Sequence, residues 1–184
     1  SFSGWYYDNE LIEELLVMDK DYNHELVAKW DVVDYSIEYD LNGGSANNLI
    51  TSYNVESDTI TLPNPSKNGY TFIGWTGSSG STPQKDLTIV AGSVGDREYV
   101  ANYTINNYTI SYDLAGGTAN NIVSNYNVES GTITLPNPSK TGYIFIGWTG
   151  SNGLTPQKNV QIASGSTGNK NYVANYTINN YTIS

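Results

Sequence analysis

Seven residues near the start of the chain, Asp19-Lys20-Asp21-Tyr22-Asn23-His24-Glu25, put oxygen-bearing side chains at alternate positions. Calcium loops use that spacing, because a hard cation collects oxygens from one tight turn. The match then fails. His24 stands at the sixth place, where such a loop needs glycine. Trp30 stands at the twelfth, where it needs a bidentate glutamate. The residues support a polar turn leading into a strand. His24 is the only histidine and there is no cysteine, so triads, His-based metal sites and thiolate chemistry have almost no material. No catalytic, cofactor-binding or metal-binding residue is assigned.

Other candidates occur twice. Glu56 and Glu129 lie in Tyr-Asn-Val-Glu-Ser segments, one carboxylate each. A paired-carboxylate hydrolase needs two facing acids and is not supported. Lys67, Lys85 and Asn102 recur with Glu56, the set that a self-formed Lys–Asn amide crosslink would use. That reaction needs all three groups in an apolar core, whereas both lysines adjoin loop signals. Trp5, Trp75 and Trp148 each follow a glycine. Core anchoring is the expectation for them, with exposed sugar-stacking platforms as the rival. Tyr53 and Tyr126 lie outside the clear strands and are expected to be partly exposed. Asn102-Tyr103-Thr104 and Asn107-Tyr108-Thr109 are formal glycosylation sequons, repeated at Asn175 and Asn180. They read as strand chemistry.

The elements that position these residues follow a period of 73. Tyr35-Ser36-Ile37-Glu38-Tyr39-Asp40-Leu41 returns as Tyr108-Thr109-Ile110-Ser111-Tyr112-Asp113-Leu114, and its opening returns as Tyr181-Thr182-Ile183-Ser184. About 50 of the 73 aligned positions are identical without a gap. A period of that size marks an array of small folding units. The organisation expected is 1–34 as the C-terminal half of a preceding repeat, 35–107 and 108–180 as full repeats, and 181–184 as the start of another. The chain therefore reads as a piece of something longer.

Within a repeat, Tyr35, Ile37, Tyr39 and Leu41 alternate with polar residues and predict a half-buried strand. Further strands are expected at 59–62, 69–75, 87–89 and 98–103. Pro63 and Pro65 close the second. The third is apolar on both faces and is expected to be central. Gly77 to Pro83 reads as a Gly/Ser/Pro loop. Only Ile105-Asn106-Asn107 lie between one repeat and the next, too few for a flexible linker. In 1–34, Phe2 to Trp5 matches Phe72 to Trp75, and Leu26 to Trp30 matches Tyr99 to Tyr103, with three residues fewer between. Leu11, Ile12, Leu15 and Leu16 fall at helical spacing behind Glu10, Glu13 and Glu14. One short helix is expected there.

The formal charge of −10 divides as −7 in 1–34, −4 in 35–107 and +1 in 108–184. There is no basic stripe, so nucleic acid is not an expected partner. No apolar run reaches transmembrane length, and no signal peptide is recognised in 1–34.

The Tyr-x-Ile-x-Tyr-x-Leu-x-Gly-Gly opening, the run from Leu62 to Trp75 and the Val-Ala-Asn-Tyr close recur in one order at one spacing. This set resembles the Listeria–Bacteroides repeat, the B-repeat type of internalin B. The resemblance implies a mostly β chain of small β-grasp-like repeat units in an elongated array, with little helix. It further implies an extracellular setting at a bacterial cell surface or wall, and use as a stalk or adhesion module. Tyr103 and Tyr176 stand where the closing strand often carries Trp, as at Trp30. The expected function is non-enzymatic. The alternatives are a glycan- or host-protein-binding module and an accessory region of a larger secreted enzyme. Expected partners are neighbouring repeats of the same chain and a host surface protein or glycan, with no membrane insertion in this segment.

Overall fold

The computed structural model describes residues 1–13 and 24–180. Among them every regular element is a strand. In chain order these are β1 (Phe2–Tyr7), β2 (Glu10–Leu11), β3 (Val27–Trp30), β4 (Tyr35–Asp40), β5 (Ser52–Tyr53), β6 (Ile60–Thr61), β7 (Tyr70–Gly77), β8 (Gly80–Gln84), β9 (Thr88–Ile89) and β10 (Arg97–Ile105). The second repeat adds β11 (Tyr108–Asp113), β12 (Asn125–Tyr126), β13 (Ile133–Thr134), β14 (Tyr143–Gly150), β15 (Gly153–Gln157), β16 (Gln161–Ile162) and β17 (Lys170–Ile178).

Alternation along β4 fixes its two faces. Ile37 is buried, Tyr35 and Tyr39 are half-buried, and Ser36, Glu38 and Asp40 are exposed. β11 repeats this pattern. Each full repeat forms a five-stranded sheet, ordered β5-β4-β10-β7-β8 and then β12-β11-β17-β14-β15. Numbered within the repeat, the order is 2-1-5-3-4. The first and last strands are parallel, Ile37 opposite Arg97 through Asp40 opposite Val100, and likewise Ile110 opposite Lys170 through Asp113 opposite Val173. In the second repeat the remaining pairs are antiparallel. This is the β-grasp arrangement. A parallel pair needs a long crossover, and here the body of the repeat supplies it. A two-stranded ladder, β6 with β9 and β13 with β16, accompanies each sheet.

The core positions recur 73 residues apart. Ile37, Tyr53, Leu62, Trp75, Ile89, Tyr99 and Ala101 are buried, as are their counterparts Ile110, Tyr126, Leu135, Trp148, Ile162, Tyr172 and Ala174. Trp75 lies edge-on to Tyr39 at 5.5 Å and to Tyr99 at 6.3 Å. Trp148 meets Tyr112 at 5.6 Å and Tyr172 at 6.4 Å, and its indole N–H donates to the Pro136 carbonyl at 3.2 Å. The preceding glycine is required by space. Gly74 has φ +140°, and a Cβ there would enter the backbone of Gln84. Gly147 repeats the conflict against Gln157.

The structure corrects three expectations. In the described part of the segment where a helix is expected, Glu10 and Leu11 form β2 instead, pairing with Tyr7 and Tyr6. Asp8 and Asn9 both have positive φ, 49° and 67°, the geometry of a two-residue hairpin turn. Residues 14–16 of that expectation lie outside the described residues. The 77–83 loop is instead a hairpin, with Gly77 opposite Gly80 and β8 running to Gln84. β7 is an interior strand as expected, flanked by β10 and β8, and Ile73 on it is exposed. Tyr53 and Tyr126 are buried, because the short strands β5 and β12 carry them beneath the sheet edge.

The chain divides into two compact units. One comprises Ser1–Asn42, Ala46–Pro65 and Gly74–Asn102, the other Gly43–Ser45, Ser66–Ile73 and Tyr103–Ser184. In the first unit, the 1–34 segment keeps the register of a full repeat. Phe2, Gly4, Trp5 and Tyr6 oppose Trp30, Lys29, Ala28 and Val27. In the second repeat the equivalent residues Phe145, Gly147, Trp148 and Thr149 oppose Tyr176, Asn175, Ala174 and Val173. Trp5 is 50% exposed and Trp30 70%, where Trp148 is fully buried.

Candidate interaction surface

The recurring candidates separate by role. Trp75 and Trp148 are core anchors. Trp5 is an exposed aromatic, with Phe2 5.9 Å away and Trp30 a further 5.2 Å beyond Phe2. The crosslink set is not assembled. Lys140 Nζ donates to the Ala115 carbonyl at 2.8 Å and lies 4.4 Å above the Tyr143 ring. Lys67 takes the same place over Tyr70. The amide of Asn175 donates to the Gly147 and Val173 carbonyls and to Thr149 Oγ1, and Asn102 repeats those bonds. These asparagines seal the β-bulge beside the core tryptophan. Of the acidic turn, residues 19–23 lie outside the described residues. Among the described residues no group of three or more His, Asp or Glu side chains is placed to hold a metal ion. No described helix is long and apolar enough to cross a membrane.

Glu56 and Glu129 sit on identical turns. The Asn54 side chain accepts from the Glu56 N–H at 3.0 Å, and the Asn54 N–H donates to Ser57 Oγ at 3.0 Å. Asn127, Glu129 and Ser130 repeat both distances. Short side-chain bonds of this kind fix a turn without help from a sheet. Within the second compact unit, the Tyr70 hydroxyl donates to Glu129 Oε1 at 2.5 Å. That bond to a carboxylate holds the Tyr70 phenol above its ordinary pKa. Beside it a Cβ on Gly69 would collide with Val128, Asn106 N–H donates to the Gly69 carbonyl at 2.9 Å, and Thr71 Oγ1 donates to Asn106 Oδ1 at 2.6 Å. Sequence reasoning gave Glu129 no partner. A Tyr–Glu pair 59 residues apart leaves no local signal.

Exposed apolar residues recur on the sheet strands. Ile73 and Val100 are exposed, and so are Ile146 and Val173. Polar residues on the strands differ between the repeats. Glu38 and Glu98 are register partners on neighbouring strands, whereas Ser111 and Asn171 hold those places and hydrogen-bond to each other.

A tandem of five-stranded units with a repeated core defines a repeat-array protein. The family model of the Listeria-Bacteroides repeat domain matches residues 35–95 and 108–179, and the chain belongs to that family. Similar proteins include a "Putative membrane protein" of Evansella cellulosilytica, 36% identical over 80% of this chain and 22% of its own length. A "Putative Gly-rich membrane protein" of the same organism is 31% identical over 100% of this chain and 21% of its own. Internalin H of Listeria monocytogenes is 31% identical over 46% of this chain and 15% of its own. The chain spans about a fifth of the length of the first two of these relatives. No solved structure matches it.

Proposed function

We propose that this chain is a non-enzymatic spacer segment of a bacterial surface-associated protein, a stalk that transmits load between what lies on either side of it. One observation carries the reading. In each repeat the chain enters on one strand and leaves on its parallel neighbour, β4 beside β10 and β11 beside β17. Tension along the chain therefore pulls these strands past each other and loads their hydrogen bonds together. An antiparallel pair at the same place would be peeled open one bond at a time. The names of the relatives, two membrane proteins and an internalin, support the surface setting.

The distribution of differences between the repeats supports it as well. None of the positions at which 35–107 departs from 108–180 is buried in the first repeat; Leu87, half-buried, is replaced by Val160. The interior recurs while the surface drifts, as a spacer requires. Weak multivalent adhesion to a glycan or host protein is the second reading, favoured by the exposure of Ile73 and Val100 and of their counterparts Ile146 and Val173. A reporter epitope displayed on a bacterial surface behind none, one or two of these repeats tests the first reading. Antibody access should rise with repeat number and survive Ile73→Asp with Ile146→Asp. Access indifferent to repeat number contradicts a spacer. Glycan-array binding by the purified chain, abolished by the two substitutions, would favour adhesion instead.

A further inference from the structure

The two ends of the repeat pattern carry one surface in covered and uncovered form. In the second compact unit, Gly69 is buried against Val128, Tyr70 is half-buried with its hydroxyl on Glu129, and Ile105 is half-buried. The equivalents 73 residues on are open. Among the described residues nothing lies within 4 Å of a Cβ placed on Gly142. Tyr143 is 41% exposed and Ile178 63%. The complementary turn shows the same contrast. Val128 is half-buried, whereas Val55 in the first repeat is 46% exposed. Both turns are nonetheless held by identical Asn and Ser bonds, so the uncovered one is already formed.

We propose that Gly142, Tyr143 and Ile178 form an acceptor surface for the Tyr-Asn-Val-Glu-Ser turn of a further repeat of this kind, following in the same chain. The occupied copy at Gly69, Tyr70 and Ile105 identifies the occupant. Glycine leaves room for the valine methyls, and the tyrosine hydroxyl supplies a donor to the glutamate. The isoleucine adds apolar area at the rim. A same-chain source follows from the spacing: Tyr181-Thr182-Ile183-Ser184 restarts the motif after Asn180 as Tyr108 restarts it after Asn107. Tethering through three residues gives the turn a high local concentration, so contacts too weak to hold two separate molecules suffice. The proposal is independent of the spacer reading, since an adhesive array would join its repeats in the same way.

The test appends a second copy of residues 35–107 after Asn180 and compares it with the present chain by hydroxyl-radical footprinting. Peptides containing Tyr143 and Ile178 stay unique in such a chain. Their labelling should fall several-fold, to the levels of Tyr70 and Ile105. Tyr143→Phe should lower the unfolding temperature of the extended chain and leave that of the present chain unchanged. Glu56→Gln in the appended copy should have the same effect as Tyr143→Phe. Unchanged labelling at both residues in a folded extended chain overturns the proposal. So does protection of Tyr143 that grows with concentration in the present chain, because the occupant would then be a second molecule.

Discussion

Single residues explain how two nearly identical repeats come to differ in their response to solution conditions. Glu38 and Glu98 are register partners across β4 and β10, and like charges so placed oppose pairing. Ser111 and Asn171 have exchanged that repulsion for a hydrogen bond. Glu98→Asn should therefore raise the stability of the first repeat, more at low salt than at high, as read by thermal unfolding at two ionic strengths. Asp96 runs the other way. Its carboxylate accepts from the Ser36 backbone N–H at 2.7 Å and from Ser36 Oγ at 2.9 Å, and these bonds hold its pKa below the ordinary value of 3.8. A lowered folded pKa gives stability that is present above the unfolded pKa and lost as pH falls through the folded one. Asp96→Asn, which installs the second repeat's Asn169, should lower stability at neutral pH. That deficit should shrink between about pH 5 and pH 2. A deficit constant with pH would mean the charge contributes nothing.

At the scale of elements, the sequence is informative where a strand alternates and uninformative where a long-range partner decides. β4, β7 and β10 were legible from period-two patterns and from Gly and Pro punctuation. β5 was not, since two residues carry no period. Tyr53 is buried because its hydroxyl reaches the Gly95 carbonyl at 2.5 Å and accepts from Arg97 Nε at 3.1 Å, both more than 40 residues away. Tyr53→Phe should cost about 1 kcal/mol in chemical denaturation. At Glu10 and Leu11 the helical spacing gave way to the turn at Asp8-Asn9, which folds them back onto β1. Core tryptophans were legible, yet the reason for the preceding glycine was not. It lies in the approach of β8 across a bulge, with Gln84 where a Cβ would stand. Gly74→Ala should destabilise the first repeat by about 1–3 kcal/mol. Trp75→Ala should cost about 3–5 kcal/mol. Equilibrium denaturation followed by circular dichroism reads both.

At the scale of the whole molecule, the repeat period was plain in the sequence, but the parallel pairing of entry and exit strands was not. Nothing local in Tyr35–Asp40 announces that Arg97–Val100 will lie beside it, and the mechanical argument for a stalk rests on that pairing. Single-molecule pulling from the two termini tests it most directly. Two unfolding events of similar force are predicted, each releasing about 73 residues at roughly 3.3–3.6 Å per residue less the folded span. Gly74→Ala should weaken one event and leave the other. Extension at low force without distinct events, or release lengths unrelated to the repeat, would contradict the account.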